Sequence, residues 1–389
     1  MPYDLKQPIY LDYQATTPVD SRVLDAMLPY FSNIFGNAAS KNHIYGQDAH
    51  RAVENAREVI GHSIRAKPQD ICFTSGATEA INLAVKGTFF AHRSKTPHFI
   101  TVITEHHALL DSMKRIESEG AKITYLPVDD QGILNIEKLK EAIRPETVLM
   151  SVMAANNEIG VIQPLLQIGH LCRERNIFLM TDATQALGKI PLDVQKMNID
   201  LLACSAHKLY GPKGIGALYC RRSLPCVPIQ PIIDGGGHER GLRSGTLNVP
   251  GIIGFAKAIE ISIKEMKIEN IRLLKMRNAM LLKLKKSLPN ISLNGHPNLR
   301  LAGNLSICIT GIDSEALLIA LTNDVAISSG SACTTMSVEP SHVLKALGMA
   351  DENVRSSIRI GLGRLTTEKE VDYASSRIID EAIRLRNLR

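Results

Sequence analysis

The sequence predicts an α/β fold, with a large domain on a mostly parallel sheet and a smaller α+β domain after it. Three observations carry this. Short apolar runs alternate with longer helical patterns from about Asp70 to about Arg221, the rhythm of parallel strands joined by helical crossovers. A helical stretch from Val249 to Lys286 is then long enough to link two cores. The last third mixes strands and helices without regular alternation. A chain of 389 residues suffices for both cores. On this reading residues 1–15 join the small domain or the interface, 16–255 form the large domain, and 256–389 the small one.

The predicted strands of the large domain are Ile71–Thr74, Phe99–Ile103, Lys122–Leu126, Val148–Met153, Ile177–Thr181, Leu201–Ser205 and Gly216–Tyr219. Their near-continuous apolar character is that of strands buried on both faces. Helical patterns lie between most of them, at Glu79–Arg93, His107–Glu119, Ile136–Ala142 and Leu165–Arg175. The C-terminal third shows strands at Asn304–Ile309 and Arg359–Gly361, and helices at Ser314–Leu321, Ser341–Ala346 and Glu368–Leu388.

Composition narrows the function classes. Apolar residues make up 44% and charged residues 22%, as in an ordinary globular protein. No apolar run is long enough to span a bilayer, and the first ten residues lack the apolar core of a secretion signal. A cytoplasmic protein with no membrane contact is expected. The net charge of +6 is modest, and the densest basic segment, Lys264 to Lys286, is broken by acids and apolar residues. That is the pattern of solvated helix faces, so no direct nucleic-acid binding is expected. The seven cysteines are widely spaced with no C-x-x-C pair, which argues against a disulfide framework and a structural zinc site; no metal is expected. Cys72, Cys204, Cys220 and Cys308 sit in strand-like runs and Cys172 in a helical one, whereas Cys226 and Cys333 have loop-like surroundings.

Ligands of α/β sheets bind beyond the carboxyl ends of the strands, so the residues just past each strand matter most. After the first strand comes Thr74-Ser75-Gly76-Ala77-Thr78-Glu79, opening a helix. Small residues there leave N–H groups free for an anion, although a helix cap explains them equally well. Next come Thr104-Glu105-His106-His107, then Asn156-Asn157-Glu158-Ile159-Gly160. Asp182-Ala183-Thr184-Gln185 ends a very apolar strand, and Ser205-Ala206-His207-Lys208 ends another. Phosphate donors, a histidine, amides, a carboxylate and a lysine together suit one small molecule, pyridoxal phosphate. Its phosphate takes helix N–H groups and hydroxyls, its pyridinium a carboxylate, its aldehyde a lysine, and its ring a flat group such as His106. No G-x-G-x-x-G pattern stands after the first strand, which weakens a dinucleotide reading.

The run Ser328-Ser329-Gly330-Ser331-Ala332-Cys333-Thr334-Thr335 places a cysteine among small polar residues. Read alone, it is either a tight packing corner or an exposed reactive thiol. It stands in order with Ala15-Thr16-Thr17-Pro18, Phe35-Gly36-Asn37, the strand-end motifs above, the loop from Gly235-Gly236-Gly237-His238-Glu239 to Thr246, and Ser357-Ile358-Arg359. In this series the chain resembles a cysteine desulfurase of the NifS/IscS type.

The resemblance runs from Tyr10 nearly to the C-terminal end and implies the PLP-dependent transferase fold (aspartate aminotransferase-like, fold type I, class V). It implies that Lys208 binds the cofactor aldehyde, Asp182 the pyridine nitrogen, Gln185 the ring O3, and His106 the ring face. Gly76, Ala77, Thr78, Ser205 and His207 would hold the phosphate. Thr246 would reach the phosphate of a second subunit, which implies a homodimer. Asn157 and Arg359 would hold the substrate carboxylate. Cys333 would take sulfur from L-cysteine as a persulfide, leaving alanine, and pass it to an acceptor such as an iron–sulfur scaffold or a thiolation factor. Selenocysteine lyase, another class V reaction, or a desulfurase for transfer-RNA thiolation or DNA phosphorothioation are the alternatives. Lys213, the competing lysine, reads as a surface or structural residue, His107 as solvated or capping, and Cys226 as an exposed thiol without a catalytic role. Two departures stand out: Ala38 replaces a proline common in relatives, and the sequence stops at Leu388-Arg389, where IscS-type enzymes carry a tail that helps dock the scaffold.

Overall fold

The computed structural model describes residues 7–329 and 340–387. The chain enters through a two-residue strand, β1 (Ile9–Tyr10). A seven-stranded sheet comes next, made of β2 (Ile71–Thr74), β3 (His98–Val102), β4 (Lys122–Leu126), β5 (Thr147–Ser151), β6 (Phe178–Asp182), β7 (Leu201–Ser205) and β8 (Gly216–Cys220). Its order is β2-β8-β7-β6-β5-β3-β4. All neighbours pair parallel except β8, which is antiparallel to both β2 and β7. The reason is local: β7 and β8 are joined by a short loop over one sheet end, and an antiparallel pair needs no crossover helix.

Successive residues of these strands enter different cores. Phe99, Leu149, Met180 and Leu201 pack with the helices Ala77–His92 and His107–Ser118. Ile100, Met150, Leu179 and Leu202 pack with the helix Ile44–Ser63 and the start of Val249–Ser287. Burial on both faces is why the strands read as apolar runs rather than as alternation.

A second, antiparallel sheet has the order β12-β13-β10-β9, from β9 (Ile291–Leu293), β10 (Asn304–Ile309), β12 (Ser328–Ser329) and β13 (Ser357–Gly361). The remaining strand, β11 (Val325–Ala326), pairs parallel with β1. Ile9 and Leu11 are therefore buried in the core beneath this second sheet. The 39-residue helix Val249–Ser287, about 58 Å long at ~1.5 Å per residue, buries Ile252, Phe255 and Ile259 in the first core and Met276, Met280 and Leu284 in the second. The expected Ser341–Ala346 helix starts at His342, because the Ser341 hydroxyl caps it by accepting from the Leu344 N–H at 3.1 Å. Among the described residues no helix is long and apolar enough to cross a membrane.

Close backbone approach fixes how the N-terminal segment crosses β13. A Cβ on Gly361 would fall 2.0 Å from Gln14 Oε1 and 2.9 Å from the Tyr13 nitrogen, so only glycine admits the crossing.

Two buried polar groups brace the large sheet. Arg57 donates to both carboxylate oxygens of Glu239, at 2.7 and 2.8 Å, and to the Ile71 carbonyl at 2.7 Å. Glu239 also accepts from the Phe73 N–H at 2.7 Å, which pins the glycine-rich loop to β2. Arg57→Met strands that carboxylate out of water and is expected to cost about 3–5 kcal/mol. Adding Glu239→Leu should recover part of the loss, as read from urea unfolding midpoints. His98 bridges the hydroxyls of Thr147 and Thr124, both at 2.8 Å. Burial pushes its imidazole down to about 4. Protons then favour the unfolded chain, so stability falls as pH drops from the ordinary histidine value of about 6.5 toward 4. His98→Gln should flatten the dependence of the thermal midpoint on pH in that window.

Candidate active site

The parallel strands bring their carboxyl ends to one edge, and a cavity of about 530 Å³ opens there. Gly76, Ala77 and Thr78 line it from beyond β2, His106 from beyond β3, and Asn157 from beyond β5. Asp182 and Gln185 enter at the end of β6, and Ser205, His207 and Lys208 at the end of β7. Ala15 and Thr16 of the N-terminal segment complete the wall. These two belong to one of the motifs of the resemblance, but nothing in the sequence assigns them a role.

Lys208 ends a 3-10 turn, Ala206–Lys208, and its Nζ donates to the carbonyls of Gln14 and Ala15, each at 2.6 Å. The Thr17 hydroxyl donates to the His207 carbonyl at 2.8 Å, and Thr16 Oγ1 lies 3.1 Å from His207 Nδ1. The N-terminal segment is thus laid along the lysine turn. Gln185 Nε2 also donates to the Gln14 carbonyl, at 2.9 Å.

Two histidines in the cavity are held neutral. Burial, reinforced by Lys208, Lys213 and Lys189, pushes His207 down to about 4. Burial also lowers His106, opposed by Asp182 and helped by Lys208. His106 Nδ1 accepts from the Ala108 N–H at 3.1 Å and caps the helix His107–Ser118, so the proton of the neutral ring is assigned to Nε2.

The helix Ala77–His92 begins at Gly76 with no side-chain cap, so capping does not account for the small residues there. Its first N–H groups and the positive end of its dipole are available at the cavity wall. Asp182 is buried and accepts from the Thr184 N–H at 2.8 Å, but makes no ion pair among the described residues. A carboxylate in that setting calls for a cation.

Arg359 lies just outside the lining and is 1% exposed. Its Nη1 donates to the Asn157 carbonyl at 3.1 Å, and its Nη2 to Asp12 at 2.9 Å and Ser328 at 3.1 Å. Its Nε has no partner among the described residues. Beside it, the buried Glu158 accepts a short hydrogen bond from the Ser341 hydroxyl, and burial raises its carboxyl to about 7.

Thr246 is exposed and outside this cavity. Lys213 is exposed, as expected, yet it also lines the cavity. His107, read as solvated or capping, is half-buried and packs its ring 4.6 Å from that of His342. Cys333 lies outside the described residues. Of the other cysteines, Cys72, Cys172, Cys204, Cys220 and Cys308 are buried and Cys226 is exposed. Burial pushes the thiols of Cys172, Cys204 and Cys220 up to about 12, which suppresses their thiolates.

The aminotransferase class-V family matches residues 9–374. The cysteine desulfurase IscS of Rickettsia africae (strain ESF-5) is 49% identical over 385 residues, spanning 99% of this chain and 93% of that one. The structure of a NifS-like protein superposes with a TM-score of 0.91 at 36% identity, covering 97% of this chain and 100% of its own. The structure of SspA in complex with cysteine gives a TM-score of 0.82 at 37% identity, covering 91% and 98%. With the family model, the fold and a relative 49% identical over nearly the whole chain in agreement, the chain belongs to the NifS/IscS-type cysteine desulfurases of the aminotransferase class-V family.

Proposed function

We propose that this cysteine desulfurase takes sulfur from L-cysteine at the strand-end cavity, with pyridoxal phosphate bound there, and loads it onto Cys333. The observation that carries the reading is the meeting of Lys208, Asp182 and an uncapped helix N-terminus in one cavity. The donor set fits the cofactor. The Gly76–Thr78 N–H groups with Ser205 and His207 suit a phosphate. The unpaired Asp182 suits a pyridinium nitrogen, the flat neutral ring of His106 an aromatic face, and Gln185 a ring oxygen. Lys208 suits the aldehyde.

When bound, the cofactor supplies an electron sink for bond changes at the substrate Cα. The protein does the rest. Asn157, with Arg359 behind it, orients the substrate carboxylate. Lys208 Nζ, beside the bound substrate, would move the Cα proton. The Cys333 thiolate attacks the substrate sulfur; an S–S bond forms, the C–S bond breaks, and the three-carbon product leaves as alanine after protonation. The persulfide is then passed to an acceptor protein.

A homodimer completes the site in this reading. Thr246 is exposed and away from its own cavity, free to serve a second copy. Leu28, Phe31, Phe35, Ile44 and Tyr45, on and between the N-terminal helices, are all more than half exposed, an apolar surface suited to a partner subunit.

Lys208→Ala is expected to lower alanine formation by about 10²–10⁴-fold, the range for losing one acid–base group. Borohydride reduction of the parent with cofactor should label Lys208; labelling of Lys213 with activity retained in Lys208→Ala overturns the assignment. Cys333→Ser separates the two halves of the chemistry. It should retain the cofactor colour and the spectral response to L-cysteine but lose sulfide release. Mass spectrometry of the parent after brief exposure to L-cysteine should find one added sulfur on the Cys333 peptide, with the exposed Cys226 as internal control.

A further inference from the structure

A lysine behind the cavity has no part in this chemistry. Lys189 is partly buried behind the cavity, beside a second void of about 40 Å³ that it shares with Gln14, Lys208 and Glu269. Its Nζ donates to Gln185 Oε1 at 3.1 Å. Burial pushes its ammonium down to about 7; Lys208 adds to that shift, and Glu269 opposes it.

The consequence lies in the orientation of an amide. Gln185 has an acceptor at one end and two donors at the other. Its Nε2 is bound to the Gln14 carbonyl, which can only accept, and its Oε1 to an ammonium, which can only donate. Turning the amide over would set N–H against ammonium and oxygen against carbonyl oxygen. Without Lys189, the Gln14 carbonyl alone would have to hold the amide, and that same oxygen already takes the Lys208 ammonium at 2.6 Å. Gln185 lines the cavity, so its orientation decides whether a bound ligand meets an N–H or a carbonyl.

We infer that Lys189 is a positioning residue: it locks Gln185 so that an N–H donor faces the cavity, and the lock favours an ionised ring oxygen on the bound cofactor. The inference rests on the pyridoxal phosphate reading above. The charge of Lys189 acts in the same direction as the lock, since a nearby cation stabilises an oxyanion.

The test is a spectroscopic titration of the whole protein. Lys189→Met keeps the length of the stem but removes donor and charge. Lys189→Gln keeps a donor without the charge. Apo protein is reconstituted with pyridoxal phosphate, and the visible absorption band is tracked against pH. In Lys189→Met the midpoint of the band transition should rise by about one pH unit, and cofactor affinity should fall about fivefold; Lys189→Gln should lie between that variant and the parent. A role confined to packing predicts a lower thermal midpoint with an unmoved titration. An unmoved titration in both variants overturns the inference. If Lys189→Met does not fold, Lys189→Gln decides alone. Absence of any visible band in the reconstituted parent overturns the cofactor reading itself, and with it this inference.

Discussion

A guanidinium sealed from water holds the pieces of this protein together. Burying a guanidinium without partners would cost several kcal/mol. The partners of Arg359 come from three places: Asp12 in the N-terminal segment, the Asn157 carbonyl on the turn after β5, and Ser328 on the neighbouring strand of the small sheet. Satisfying one cation therefore sets the small sheet, the large sheet and the N-terminal segment in register. The catalytic edge depends on that register. Two residues beyond Asp12 lies the Gln14 carbonyl that receives both Lys208 and Gln185, and Asn157 is itself part of the cavity wall.

The electrostatics of the cavity arise from the same enclosure. Lys208, Lys213 and Lys189 act on His207, and the ring stays neutral under their field. Asp182 is the ionisable counterweight that lines the cavity from the β6 end. A helix N-terminus adds partial positive charge without any proton to lose. Fixed dipoles of this kind favour an anion without titrating.

Much of this is legible in the sequence. Strands buried on both faces announce themselves as apolar runs, and the strand-end motifs place Lys208, Asp182 and His106 together. The exceptions have physical reasons. His98 belongs to β3 although it is polar, because flanking threonine hydroxyls satisfy it. The helix Ile44–Ser63, which buries mainly Gly46, Ala49, Ala52 and Ala56 with Val53 and Ile60, lies ahead of the strand–helix alternation that makes the other helices legible. Two-residue strands such as β1 and β11 carry no periodicity at all. The place of Arg359 rests on contacts 202 and 347 residues away in sequence. Lys189 is silent for a similar reason: its meaning lies in which end of a neighbouring amide it touches.

The pairing of β1 with β11 also orders events during synthesis. Ile9 pairs with Val325 and both Ile9 and Leu11 are buried in a core built from Leu273 and residues after it, and the N-terminal segment then threads back past Lys208. A ribosome delivers the first residues long before the last third of the chain exists. The sheet that bears the lysine can form early, but the wall contributed by Ala15 and Thr16 closes only after the C-terminal strands have emerged. A truncated or half-made chain thereby lacks the finished cavity wall.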